Sequence, residues 1–85
     1  MASQAGTITG TGAEAPITLS GVFSLSLRGF GSATVNFERS LDGANWGLVE
    51  SFSADAEKVG EDTQAKYRLN CTAYTSGTIA YTLTD

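Results

Sequence analysis

Few residues in this 85-residue chain could do chemistry, and their spacing narrows the choice further. "SLDGANW" sets Asp42 and Gly43 just ahead of Trp46, the only tryptophan. A carboxylate beside an aromatic face, with Tyr74 as a second ring, is a combination that sugar pockets use. The expected alternative is structural: Asp42 accepts local amide hydrogen bonds, Gly43 gives the chain freedom to turn, and Trp46 plugs the core. Glu38 and Glu50 would make a glycosidase-type pair only if their strands faced each other. Their alternation points Glu38 outward and Glu50 inward. Glu61 and Asp62 adjoin without the ligand spacing that calcium requires.

Cys71 is the single cysteine and there is no histidine. One copy therefore cannot assemble a Ser-His-Asp or Cys-His centre, a four-ligand Cys/His zinc site or an internal disulfide. In an alternating strand Cys71 reads as a small buried apolar group. No catalytic residue, metal ligand or cofactor-binding residue is expected, and the protein reads as non-enzymatic.

Nine acidic residues against five basic ones leave a net charge of -4, which opposes wrapping by nucleic acid. Arg28 and Arg68 fall on outward positions, where they could meet an acidic protein surface in a salt-sensitive contact. There is no apolar run long enough to span a bilayer, and the opening "MASQAGTITGTGAEAP" lacks the cationic end and hydrophobic run of a signal peptide. No membrane partner is expected.

The elements that must position these residues follow from a change of rhythm at Pro16. Residues 1–16 are mostly small or polar, with Ile8 as their large apolar side chain before Ile17, and read as a flexible arm. Within that arm Thr7, Ile8 and Thr9 of "TITGTG" could add a strand to another subunit, with Glu14 and Pro16 completing the contact. Residues 17–85 read as the folded domain. Ile17, Leu19, Phe23, Leu25 and Leu27 share one parity, with a bend expected near Gly21.

"RGFGS" reads as a tight reversal, "ATVNFERSL" as the next strand, and "DAEKVGEDTQAK" as a loop. Tyr67, Leu69 and Cys71, then Ile79, Tyr81 and Leu83, read as inward rows of a terminal hairpin turning at "TSG". So many short strands cannot bury both faces of one open sheet. The expected fold is all-β: a small antiparallel β-sandwich or rolled barrel, immunoglobulin-like or jelly-roll-like.

Two resemblances attach to these residues. "SLDGANW" resembles the aspartate box of sialidases through Ser40, Asp42, Gly43 and Trp46, although it is one residue short and Asn45 stands where the box has threonine. The stretch from residue 34 to 85 resembles small β proteins of tailed-bacteriophage virions, of the head-decoration, stabilising or fibre-associated type. The residues carrying it are Arg39, Ser40, Asp42, Gly43, Trp46, Tyr67, Arg68, Leu69 and Thr75 to Thr78. It implies a protein made in the bacterial host cytoplasm that attaches to a major capsid protein or another virion protein. It further implies location on the capsid surface and assembly as a homo-oligomer such as a trimer. The alternative it carries is a carbohydrate- or cell-surface-binding module of a phage tail or fibre.

Overall fold

The computed structural model describes residues 2–85. Its strands are β1 (Ser3–Ile8), β2 (Gly12–Ala13), β3 (Ile17–Ser40), β4 (Gly47–Phe52) and β5 (Ala56–Thr84), and every pairing is antiparallel. The hydrogen-bonded order is β1-β5-β3-β4, with β2 also on β5. β3 has 24 residues and β5 has 29. Straight, the shorter of them would extend roughly 80 Å at strand rise. The longest dimension of the molecule is 35 Å, so both strands must bend and serve two layers.

The register shows how. In one layer residues 3–8 pair with 79–84, residues 80–84 with 24–28, and 24–27 with 56–59. In the other, 12–13 and 17–19 lie beside 65–71, residues 66–74 pair with 33–40, and 35–39 with β4. Counted as runs in chain order, the layers read 1-8-3-6 and 2-7-4-5, a jelly-roll arrangement of an all-antiparallel sandwich. The first is called layer I below and the second layer II.

The inward rows close the core between the layers. Phe23, Leu25, Leu27, Ile79, Tyr81 and Leu83 come from layer I, and Leu19, Val35, Phe37, Tyr67, Leu69 and Cys71 from layer II, all buried. Phe23 reaches across to Phe37 and Tyr67, with ring centroids 6.0 and 4.9 Å away, and Phe37 stacks on Tyr67 at 5.1 Å. These aromatic contacts knit the two layers where the long strands bend.

Several expectations are corrected by this register. "RGFGS" is no reversal: β3 runs through it, and Phe30 pairs with Gly77. The crossing is so tight that a Cβ on Gly29 would stand 2.3 Å from the Thr78 carbonyl oxygen, at a φ of 89° that also favours glycine. The terminal hairpin is absent as well, because 66–74 and 79–84 lie in different layers and each pairs with β3. The stretch read as a loop at 55–66 is strand from Ala56 onward.

The leader is not an arm. β1 is an edge strand of layer I with an unbroken register to β5, and Ile8 is 2% exposed beside its partner Ile79. Glu14 donates its backbone amide to the Leu69 carbonyl at 2.8 Å, tying the segment after β2 to layer II. The folded unit therefore includes residues 2–16, Met1 lying outside the described residues.

Candidate binding face

Trp46 is not in the core. Across β4 and β3, Gly47 opposes Arg39 on the inward parity, so the residue before it falls on the outer face of layer II. There the half-buried Trp46 ring lies 4.3 Å from the Arg68 guanidinium carbon. The place assigned to it in the core is filled by Phe23, Phe37, Phe52 and Tyr67.

The turn that delivers Trp46 is built around one carboxylate. Asp42 Oδ1 accepts from the Ser40 hydroxyl at 2.9 Å and from the amides of Ala44 and Asn45 at 2.8 Å each, while Oδ2 accepts from the Asn45 side chain at 2.7 Å. Those bonds, led by the Asn45 amide, hold the Asp42 carboxyl well below the usual carboxylate range. Gly43 has a φ of 80° and donates its amide to Ser40 Oγ at 2.8 Å. The same turn covers Ser40, which is why a serine on the outer parity is buried.

Arg68 joins this turn to the sheet. Its Nε donates to Glu38 Oε1 at 2.7 Å, and Asn70 donates to Glu38 Oε2 at 3.3 Å. Glu38 is the cross-strand partner of both Arg68 and Leu48. The row therefore reads Leu48, Glu38, Arg68, with Trp46 over its last member. Leu48 is 62% exposed, while the Arg68 and Glu38 side chains are largely covered. The result is a surface combining an aromatic ring, a paired cation, an amide and an exposed aliphatic group.

The remaining candidates are dispersed. Arg28 lies on layer I, paired with Glu57 at 3.2 Å in an exposed bridge, and so does not share a face with Arg68. Thr7, Thr9 and Pro16 are exposed, whereas Ile8 belongs to the core and cannot serve as a surface anchor. Glu14 accepts from the Tyr81 hydroxyl at 3.3 Å. Tyr67, Leu69, Cys71, Ile79, Tyr81 and Leu83 are all buried.

The groups that could have supported catalysis are committed elsewhere. Glu50 pairs with Lys58 at 2.8 Å and opposes Phe37 across the strands, so Glu38 and Glu50 form no facing pair. Asp62 accepts from Arg39 at 2.5 Å and from the Tyr67 hydroxyl at 2.7 Å, and these partners, Arg39 first, depress its carboxyl. Cys71 is 2% exposed. Among the described residues no three His, Cys, Asp or Glu side chains gather to hold a metal.

Leu48 and Asn70 are members of this face that sequence reading assigns to no site, and Glu38 enters that reading only as half of a carboxylate pair with Glu50. The available signal was a pair of opposite charges, Glu38 and Arg68, both outward on alternating runs. Using it required knowing that those runs are neighbours.

No protein-family model matches the chain, and no curated protein matches it either. Among solved structures it is similar to the mitogen from Yersinia pseudotuberculosis, at 18% identity and a TM-score of 0.59, over 98% of this chain and 83% of that one. The likeness is one of fold. It corrects the expectation drawn from residues 34–85, since the solved structure this chain resembles is a bacterial mitogen and not a tailed-phage virion protein. Capsid attachment, the phage tail or fibre alternative and the capsid-surface location are withdrawn with it.

Proposed function

We propose that this chain is a non-enzymatic binding protein that engages another protein through the outer face of layer II. The observation that carries this reading is the Arg68 guanidinium held over Trp46 while it is bonded to Glu38. Tryptophan and arginine are the residue types that most often dominate protein interfaces. Here both are fixed before any partner arrives, which lowers the ordering cost of association. Exposed Leu48 supplies apolar area beside them.

The fold likeness to a mitogen supports action by contact with cells, and a cell-surface protein is the partner class that follows. A photo-crosslinking residue at Leu48 tests this on intact animal cells, with the same residue at Val22 as the control. Val22 is also 62% exposed but belongs to the layer I run of β3, opposite Glu61. Saturable capture of a discrete protein from Leu48 and not from Val22 is expected. Equal capture from both positions, or none that saturates, refutes the assignment.

A further inference from the structure

Among the described residues the sandwich has four free edges, and three carry devices that block pairing with another sheet. β4 is offset by a bulge between Phe37 and Glu38 of its partner and carries Glu50. The run 56–62 carries Glu57, Lys58, Glu61 and Asp62. The edge made by 12–19 contains Glu14 and Pro16. Bulges, charges and proline are the means by which proteins protect exposed strands.

β1 has none of them. Ser3–Ile8 reads SQAGTI, with no charge and no proline, and its register to β5 is uninterrupted. Asp85 donates its amide to the Ala2 carbonyl at 3.0 Å, which marks residues 2 and 85 as a hydrogen-bonded pair. In an antiparallel ladder such pairs alternate. Ser3, Ala5 and Thr7 therefore turn both N–H and C=O away from β5, toward the free edge.

We propose that β1 pairs antiparallel with β1 of a second copy, across a twofold axis at Ala5. Ser3 of each chain then faces Thr7 of the other, and the outward amides and carbonyls of residues 3, 5 and 7 are all satisfied reciprocally. Charge selects the same partner. On a chain of net charge -4, β1 is the edge that two copies can bring together without opposing carboxylates on the strand itself. The closed twofold pair uses up the edge in both copies, so assembly stops at a dimer.

Ala5→Pro tests the pairing, because the amide it removes has no partner within the chain and the monomer should keep its fold. Sedimentation velocity from micromolar to millimolar protein should show a reversible dimer for the parent. Ala5→Pro and Thr7→Lys should each weaken it by at least roughly tenfold, the change produced by about 1.4 kcal/mol. Ala5→Cys should form a covalent dimer on mild oxidation, since hydrogen-bonded antiparallel partners lie about 5.5 Å apart at Cα. If Ala5→Pro fails to fold, by circular dichroism, Thr7→Lys and Ala5→Cys decide. A parent that stays monomeric throughout, or a dimer untouched by Thr7→Lys and not captured by Ala5→Cys, overturns the proposal.

Discussion

The ring of Phe23 covers the backbone of Gly60, its cross-strand partner, so closely that a Cβ on residue 60 would stand 2.6 Å from Phe23 Cζ. Tyr81 does the same to Gly6, where a Cβ would lie 3.0 Å from the phenolic oxygen. In both cases an edge run without a large side chain at that position borrows an aromatic ring from the run inside it. Such pairing of aromatic and glycine pins register and shields backbone that would otherwise face a gap.

Gly60→Ala should therefore destabilise the fold. The Phe23 ring is confined by Phe37 and Tyr67 and cannot simply swing aside. Overpacking of this kind costs about 1–3 kcal/mol. A thermal melt should drop by roughly 4–8 °C for each kcal/mol lost in a domain of this size. An unchanged melting temperature would show that the ring is not fixed over Gly60.

Removing β1 should abolish the fold rather than trim an arm. Deletion of residues 1–10 strips the partner from residues 79–84 and takes away the buried Ile8. Ile8→Ala alone should cost about 2–5 kcal/mol, against a total stability of about 5–15 kcal/mol for such domains. The truncated chain should lack a cooperative melt by circular dichroism. A sharp transition in that variant would place β1 outside the folded unit.

Acid should weaken the domain through Asp62. Arg39, followed by the Tyr67 hydroxyl, holds its carboxyl below the ordinary aspartate value of 3.8. Below that value the unfolded chain binds the proton while the native state still resists it. The contribution is thus complete above 3.8 and fades as pH falls through the lower native value. Asp62→Asn should lower the melting temperature at neutral pH and flatten its fall below about pH 4. Parallel curves for the two proteins would show that the contact with Arg39 contributes nothing to the native state.

The central runs of the sandwich were legible because alternation there reports burial directly: Leu25 and Leu27, Val35 and Phe37, Tyr67 and Leu69 each bury an apolar group at every second position. The two edge runs were not. In 56–60 the inward positions are Ala56, Lys58 and Gly60, and in β1 they are Gln4, Gly6 and Ile8. Neither row looks apolar, because Phe23 and Tyr81 supply the missing bulk from neighbouring strands. Chain order also hid the partnership of 66–74 with 33–40, and without it Arg68 and Glu38 are separate charges rather than one surface. Trp46 is illegible for a simpler reason: size alone points a large ring to the core, whereas the parity set by Gly47 and Arg39 places it outside.

The outer face of layer II is the proposed working surface. Its direct test is an equilibrium binding curve of labelled protein on intact animal cells, comparing Trp46→Ala and Leu48→Ser with Val59→Ser on layer I, where Val59 is 70% exposed. Trp46→Ala should weaken binding roughly thirtyfold, as loss of about 2 kcal/mol at a hot spot would. Leu48→Ser should weaken it less, and Val59→Ser should leave it unchanged. Full affinity in Trp46→Ala, or a loss confined to Val59→Ser, would contradict the assignment of that face.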